Sequence, residues 1–292
     1  MTDRTRLALA IDALTGLSVG DAVGNQAFPP HLRVRAPIHP PEVWSWTDDT
    51  QMACSLLDVL DRHGTVDQNA LAKAFAAHAE TFRDYGMGAL QFIDHVLHGG
   101  GWRAINAKLF DGAGSWGNGG AMRVAPLGAY FHDDLRKAAA EGAASAEVTH
   151  AHPEGIAGGV AIAVAAAHVT AHRGRAVPDL FETVLAHTPA GDVHDGIRRA
   201  GELRDRPASE VADEVGNGSR ISAPDTVPFA LWTIGEHLDD YETAIRTCTL
   251  VGGDMDTMAA IVGGVIAAHH GALCVPTEWL EAREPLPRWF TL

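Results

Sequence analysis

Cysteine is scarce in this chain, with three residues among 292. Cys54, Cys248 and Cys274 are far apart and stand in apolar surroundings. An odd and scattered set does not supply a disulfide framework, so we expect reduced thiols and a cytoplasmic protein. Free cysteines in such surroundings commonly serve as small buried hydrophobes.

Basic residues are also few, with 22 Lys and Arg against 37 Asp and Glu and a formal net charge of -15. This surplus of acid disfavours a nucleic-acid-binding surface, although a local basic patch stays open. Long hydrophobic runs are missing as well. The longest apolar helical stretch, residues 156–169, is too short to span a bilayer, and the N-terminal residues lack the apolar core of a signal peptide. We therefore expect no association with membranes.

Strand patterns are the third absence. No stretch alternates apolar and polar residues convincingly, and no internal repeat or low-complexity tract is found. Ala-rich helical patterns follow one another with Gly at the junctions, which predicts an all-α single domain over residues 1–292 with about a dozen helices. We predict the main helices at residues 6–19, 51–63, 67–81, 89–97, 133–148, 155–172, 179–187, 193–204, 227–236, 241–251 and 258–268, and an exposed polar excursion at 206–224.

Two acidic motifs organise the chain. The first reads WTDDTQ at residues 46–51, the second reads GGDMDT at residues 252–257, and each runs into an apolar helical pattern. Thr and Asp are favoured helix N-caps, so capping is the competing interpretation. A cap uses one side chain, however, and explains neither two adjacent Asp nor Asp-x-Asp. If the two helix starts meet, four carboxylates and their neighbouring hydroxyls suit Mg²⁺ or Mn²⁺ rather than Zn²⁺.

A glycine-rich segment, DGAGSWGNGGAMR at residues 111–123, is the second unusual stretch. Glycines let backbone N–H groups converge on an anion, so the segment is a candidate cradle for a phosphate or pyrophosphate. It lacks the Lys of a nucleotide-binding P-loop and the preceding strand of a dinucleotide fingerprint. A merely flexible loop is the alternative, which the presence of Trp116 and Met122 disfavours.

Histidines and glycines supply two weaker signals. His150, His152 and Glu154 lie close together, but their spacing is not that of a helical zinc site, so a hydrogen bond to substrate is the better interpretation. Gly16, Gly20 and Gly24 recur every four residues. That spacing indicates either close packing against another helix or a close approach of the backbone to a ligand.

Taken in order, these motifs resemble the ADP-ribosylglycohydrolase family. The matching segments are GDAVG at 20–24, WTDDT at 46–50, GMG at 86–88, GSWGNGGAMR at 114–123, Thr149-His150 and GGDMDT at 252–257. The resemblance implies a compact orthogonal helical bundle with a central dinuclear site for two Mg²⁺ (or Mn²⁺) ions. The family's metal ligands fall on Thr47, Asp48, Asp49, Asp254, Asp256 and Thr257.

The same resemblance implies where ADP-ribose contacts the chain. In the glycine-rich segment, the contacts fall on Ser115, Trp116, Gly117, Asn118, Gly119 and Ala121. Phe110 and Trp116 match an aromatic pair that holds adenine, and His150 matches a histidine that contacts ribose or phosphate.

The implied reaction is hydrolysis of the bond between C1″ of the distal ribose and an acceptor atom, which releases ADP-ribose from a protein or a small conjugate. We expect Asp49, with Asp48 beside it, to act as the base that activates water. The alternative is a catalytically inactive ADP-ribose-binding protein on the same fold, which the intact set of four Asp and two Thr disfavours. A monomer is the default expectation.

One departure leaves the acceptor open. Many family members carry a Glu on a mobile flap at the position of Phe28, and Glu42 is a possible substitute here. The stretch at residues 83–88 resembles the serine-specific branch more than the arginine-specific one. Serine, arginine, nucleic-acid and small-molecule linkages therefore all remain possible acceptors, with nucleic acid disfavoured by the acidic composition.

Overall fold

A computed structural model describes residues 3–28 and 43–291, with only the backbone of residue 3. Over these residues the chain is helical, with three short 3-10 segments and no strand, which confirms the all-α prediction. The helices are α1 (Asp3–Gln26), α2 (Asp48–His63), α3 (Gln68–His78), α4 (Met87–Leu97), α5 (Trp102–Asn106), α6 (Ala125–Tyr130), α7 (Leu135–Glu147), α8 (Pro153–Ala171), α9 (Leu180–Leu185), α10 (Asp192–Glu202), α11 (Ala208–Val215), α12 (Ala223–His237), α13 (Tyr241–Leu250), α14 (Met255–His270) and α15 (Thr277–Ala282).

Helix α1 is longer than the predicted 6–19 and continues through the glycine motif. The reason is packing against α14. A Cβ at Gly20 would overlap the carbonyl group of Ala259, and one at Gly24 would overlap the backbone of Asp256. The glycines therefore let two helix backbones touch. This contact brings Asp21 on α1 next to the first turn of α14.

The prediction that no apolar helix is long enough to span a bilayer is wrong for helices α1 and α8. Helix α8 is 19 residues long, and both it and residues 4–26 of α1 are long and apolar enough to cross a bilayer. Burial argues for a different role, because 83% of the apolar window in α8 and 67% of that in α1 are buried inside the protein. Core helices of globular proteins have this character, so their length is weak support for a membrane span.

The predicted exposed excursion at residues 206–224 is only partly exposed. It contains helix α11, whose Val211 and Val215 are spaced one turn apart and are both buried. The residues after α11 then return to the glycine-rich segment. There the backbone N–H of Ala223 donates to the carbonyl of Trp116 at 2.9 Å, and Ser222 forms a β-bridge with Gly117.

One contiguous apolar cluster extends from Ala10 on α1 to Ala282 on α15. On this ground we propose that the chain folds as one domain, as the sequence predicts. Cys54 and Cys248 are buried within the cluster, Cys274 is half-buried, and all three thiols are free. Burial raises the pKa of Cys248 to about 12, so that thiol is an inert hydrophobe.

Candidate active site and metal centre

Three helix segments that are distant in sequence converge on one point. Asp21 from α1, Asp49 from α2 and Asp256 from α14 place carboxylate oxygens within 4.8 Å of one another, and all three residues are buried. The sequence reasoning assigned Asp49 and Asp256 to this site but gave no role to Asp21. The signal was present, because Asp21 lies in the conspicuous GDAVG motif.

Asp21 organises the first turn of α2 from outside that helix. Its carboxylate accepts the backbone N–H groups of Thr47 at 3.0 Å and Thr50 at 3.1 Å, together with the Thr50 hydroxyl at 2.5 Å. These are the N–H groups that a cap normally satisfies. Thr47 and Asp254 occupy the N-cap positions of α2 and α14, and neither side chain makes a capping hydrogen bond. The capping interpretation of the two motifs is therefore wrong.

The hydroxyl of Thr47 lies between two carboxylates. Its Oγ1 is 2.9 Å from Asp21 Oδ1 and 2.9 Å from Asp49 Oδ2. A hydroxyl carries one proton and can donate to only one of them. In addition, Asp49 Oδ1 and Asp256 Oδ1 are buried without a hydrogen-bond partner. The buried carboxylate oxygens thus outnumber the protein hydrogen-bond donors around them. This shortage of donors is the pattern expected of a cation site.

The electrostatics of the cluster point the same way. Burial, followed by repulsion from Asp21, raises the pKa of Asp48 to about 8. The pKa values of Asp49 and Asp256 are also raised well above the usual range, chiefly by burial and next by neighbouring carboxylates. Burial raises the pKa of Asp21 to about 6 even though four hydrogen bonds from Thr47 and Thr50 oppose the change. Without a cation, Asp48 is mostly protonated at neutral pH, and burial with mutual repulsion disfavours the charged forms of Asp49 and Asp256 as well.

Asp48 and Asp254 lie at the open side of the cluster and are only partly buried. Asn118 from the glycine-rich segment donates to Asp254 Oδ2 at 2.6 Å and to Thr226 Oγ1 at 3.0 Å. Asp254 is also held through its backbone N–H, which donates to the carbonyl of Asn217 at 3.2 Å. The glycine-rich segment thus contacts the acidic site directly.

The residues present fit a divalent cation of the Mg²⁺ or Mn²⁺ class. The donors are carboxylate and hydroxyl oxygens, with Thr47 and Thr257 both buried beside the acids. Hard oxygen ligands of this kind are what Mg²⁺ and Mn²⁺ prefer. The unpartnered oxygens of Asp49 and Asp256 are the atoms that such an ion would satisfy.

Arg83 braces the turn that leads into α2. Its guanidinium lies 3.5 Å from the centre of the Trp46 ring, donates to the Trp46 carbonyl at 3.0 Å and pairs with Glu284 at 2.7 Å. Its own carbonyl accepts the backbone N–H of Asp48 at 2.8 Å. The next residue, Asp84, has a left-handed backbone (φ 61) and raises the pKa of Asp48.

The glycine-rich segment is packed in place. Gly114 fits against Ala151 and His152, where a Cβ would come within 2.8 Å of Ala151, and the Ser115 carbonyl accepts the His152 N–H at 3.3 Å. Asn118 and Ala121 are buried, and the Ala121 N–H donates to the Asn118 carbonyl at 2.8 Å. The flexible-loop alternative does not describe such a segment. Because Ala121 is buried and already bonded, its predicted contact with ADP-ribose stays a prediction.

His150 lies beneath the glycine-rich segment. A Cβ at Gly117 would be 3.1 Å from His150 Nε2, and one at Gly119 would be 2.9 Å from the ring. Arg123 donates to Thr149 Oγ1 at 2.9 Å, and that hydroxyl lies 2.7 Å from His150 Nδ1. Arg123 can only donate to Thr149, which leaves the hydroxyl proton free for Nδ1, and we propose that Thr149 donates there and that Nε2 carries the ring proton. Burial, with Arg123 nearby, lowers the pKa of His150 to about 3, so the ring is neutral.

Exposed apolar side chains surround the glycine-rich segment. Phe110 is 55% exposed and Trp116 is 50% exposed, and the Phe110 ring packs over Gly88. Ile221, which the sequence reasoning missed, is 65% exposed and has a left-handed backbone (φ 51). It immediately precedes Ser222, which pairs with Gly117. A β-branched residue in this conformation is a strained outlier of the sort found at functional sites.

Phe28 is 40% exposed at the end of the first described range. Glu42, named as a possible source of the flap carboxylate, lies outside the described residues. That Glu42 supplies the carboxylate missing at the position of Phe28 therefore stays a prediction.

Comparison with known proteins agrees with this geometry. The model of the family described as ADP-ribosylglycohydrolase matches residues 2–291. The chain belongs to the ADP-ribosylglycohydrolase family. This confirms the resemblance noted in the sequence and the prediction of an enzyme that cleaves glycosidic bonds of ADP-ribose.

Relatives with described activities are moderately similar. ADP-ribosylhydrolase ARH3 of Gallus gallus is 29% identical over 281 residues, which cover 83% of this chain and 75% of the relative. ADP-ribosylarginine hydrolase Tri1 of Pseudomonas putida is 26% identical over 96% of this chain and 76% of its own length. A solved structure described as an ADP-ribosylglycohydrolase-related protein complex is 22% identical, covers 96% of this chain and 93% of its own, and superposes with a TM-score of 0.65. At that identity it supports the fold alone.

Proposed function

We propose that this enzyme is a divalent-metal-dependent hydrolase that releases ADP-ribose from an ADP-ribosylated protein side chain or small conjugate. One observation carries the proposal. Asp21, Asp49 and Asp256 converge, and one buried oxygen each of Asp49 and Asp256 lacks a hydrogen-bond partner. The glycine-rich segment contacts Asp254 of the same site through Asn118. An anion cradle and a cation site in direct contact suit a substrate that carries both a pyrophosphate and a ribose diol.

The residues proposed to hold the ions would form an inner and an outer group. The inner group, Asp21, Asp49 and Asp256 with Thr47, would hold one ion. The outer group, Asp48 and Asp254 with Thr257, would hold the second. Ions bound there would stabilise developing negative charge and hold the ribose hydroxyls in position. We propose Mg²⁺ or Mn²⁺ as the ion, because both prefer carboxylate and hydroxyl oxygens as ligands.

The remaining residues would bind and orient the substrate. The glycine-rich segment from Ser115 to Gly119 would receive the pyrophosphate, with Phe110 and Trp116 against the adenine. The Nε2–H of His150 would donate to a ribose or phosphate oxygen, because Thr149 leaves that nitrogen as the donor. Ile221 would add apolar surface beside Trp116. A substrate held this way loses little further freedom before reaction, which is where much of the rate arises.

The chemical step is an exchange at C1″. The oxygen of a water molecule bonds to C1″ while the bond from C1″ to the acceptor breaks, and the acceptor leaves with that electron pair and takes up a proton. Asp49 is the proposed base that removes the proton from water, with Asp48 beside it at the open side of the site. Hydrolysis by a single carboxylate base differs from the paired carboxylic acids of ordinary glycosidases.

The acceptor is decided by experiment. We would measure ADP-ribose release from serine-linked, arginine-linked and nucleic-acid-linked ADP-ribose, and from a small ADP-ribose ester. Release from one linkage, lost in Asp49→Asn and retained in Asp94→Asn on the exposed face of α4, supports the proposal. Tight ADP-ribose binding with no release from any linkage would instead support an inactive binding protein. Gel filtration tests the accompanying proposal of a monomer.

A further inference from the structure

A second cluster of metal-ligating side chains lies at the opposite end of α14 from Asp256. Asp239, His269 and His270 place one ligand atom each within 4.8 Å of one another. His270 Nε2 is 3.0 Å from Asp239 Oδ1, and the two imidazole rings meet edge to face with centroids 4.4 Å apart. His269 and His270 close α14, while Asp239 lies between α12 and α13.

The tautomer of His269 is set for metal binding. Its Nδ1 lies 2.9 Å from the carbonyl oxygen of Val169, which can only accept a hydrogen bond. Nδ1 therefore carries the proton, and Nε2 keeps a free lone pair. Histidines that bind metals nearly always donate their other ring N–H to a carbonyl or carboxylate in this way.

The surrounding charge also suits a cation. The helix dipole of α14 places partial negative charge at its C-terminal end, where both histidines lie. Arg173 is the nearby positive group, and it is paired with Asp12 at 2.9 Å and donates to the Ala268 carbonyl at 2.6 Å. Because Asp12 balances the positive charge of Arg173, the negative charge of Asp239 is available to a cation.

We propose that Asp239, His269 and His270 form a binding site for a transition-metal ion, with Zn²⁺ as the preferred occupant. Two imidazoles and one carboxylate are the ligands of Zn²⁺ and its neighbours, unlike the all-oxygen donors around Asp49. Water would complete the coordination, because Asp239 and His270 lie at the surface. A bound ion would tie the end of α14 to the segment between α12 and α13.

A simple surface ion pair between His270 and Asp239 is the competing interpretation. A similar ion pair elsewhere in the chain serves as a control that distinguishes a metal site from an ion pair. His98 and Asp94 form the same kind of contact at 3.4 Å on α4, and among the described residues they are not part of a group of three metal-ligating side chains. A metal site needs His269 and its free Nε2, whereas an ion pair does not.

The test is titration of Zn²⁺ into the full chain by calorimetry, with Mg²⁺ at saturating concentration to occupy the carboxylate site. We expect one Zn²⁺ per chain, at least tenfold weaker binding in His270→Ala and in Asp239→Asn, and unchanged binding in His98→Ala. The absorption spectrum of Co²⁺ in the same variants should follow the same order. Because Asp239 is exposed, Asp239→Asn keeps its fold, which circular dichroism checks.

Two outcomes would overturn the proposal. One is Zn²⁺ binding of equal strength in wild type, His270→Ala and Asp239→Asn, which would place the ion elsewhere. The other is no saturable Zn²⁺ binding to the wild-type chain at millimolar concentration. Neither outcome bears on ADP-ribose release, which rests on the carboxylates at the other end of α14.

Discussion

The carboxylate of Asp21 accepts both the backbone N–H and the hydroxyl of Thr50, so one helix fixes the first turn of another. This link explains why Asp49, on the same turn, faces Asp256. Asp21→Ala should remove the link and lower stability by about 2–4 kcal/mol, because buried donors lose their acceptor. Activity should fall more than a hundredfold. Urea denaturation and turnover measure the two effects, and Asp12→Ala, on the partly exposed side of α1, is the control for turnover. Wild-type turnover in Asp21→Ala would remove Asp21 from the site.

The metal-free protein should lose stability as the pH rises. The pKa values of Asp21 and Asp48 are raised from 3.8 to about 6 and about 8, so the folded state holds more protons than the unfolded state between pH 4 and pH 8. The free energy of unfolding therefore falls over that range. Mg²⁺ replaces the protons, so the rise in melting temperature that it causes should be larger at pH 8 than at pH 5. Thermal melts in EDTA and in Mg²⁺ measure this, and an equal shift at both pH values speaks against it.

The relay from Arg123 through Thr149 should fix the tautomer of His150. Nitrogen-15 NMR of the imidazole should show a proton on Nε2 and no titration between pH 5 and pH 8, since the pKa is near 3. Thr149→Val removes the hydroxyl, so the share of the Nδ1–H tautomer should rise and KM should rise about tenfold. Thr149→Ser keeps the hydroxyl and serves as the control. The same tautomer in Thr149→Val as in wild type would disprove the relay.

Asn118 joins the glycine-rich segment to the acidic site. Asn118→Ala removes the donor 2.6 Å from Asp254, so KM for ADP-ribosylated substrate and the Mg²⁺ concentration for half-maximal rate should both rise. Asn106→Ala, at a buried Asn that bonds only to main-chain carbonyls of α7 and Val148, should cost stability alone. Unchanged kinetics in Asn118→Ala would remove the glycine-rich segment from the binding site.

The left-handed backbone at Ile221 should carry a measurable cost. Ile221→Gly relieves a strain of about 1–2 kcal/mol, part of which is offset by the greater freedom of glycine in the unfolded chain. We therefore expect stability to stay level or rise slightly while KM rises severalfold through loss of the exposed side chain. Ile221→Val, which keeps both strain and apolar surface, is the control. Lower stability with unchanged KM in Ile221→Gly would show that the residue serves packing only.

Sequence reasoning identified the parts of the site whose residue types are unusual. Adjacent Asp48 and Asp49, and Asp254 with Asp256, exceed what helix capping uses, and together with the family resemblance their pattern indicates a cation. Asp21 escaped because a single Asp between apolar residues looks like a solvated or capping residue. Its role follows from the contact between α1 and α14, which depends on glycines fitting against a distant helix.

The remaining differences also have physical causes. Helix α1 continues past the predicted end because tertiary packing outweighs the low helix propensity of three glycines. Helix α11 was hidden because only Val211 and Val215 mark its buried face. Ile221 carried no local signal, and its left-handed backbone lies beside Ser222, which pairs with the distant Gly117.

Metal dependence of ADP-ribose release is the most direct test of the account. The enzyme would be dialysed against EDTA, assayed on the linkage that it cleaves, and then titrated with Mg²⁺, with Asp256→Asn assayed in parallel. We expect no release in EDTA, recovery of the full rate with Mg²⁺, and no recovery in Asp256→Asn. A full rate in EDTA, or in Asp256→Asn, would contradict a catalytic cation held by the converging carboxylates.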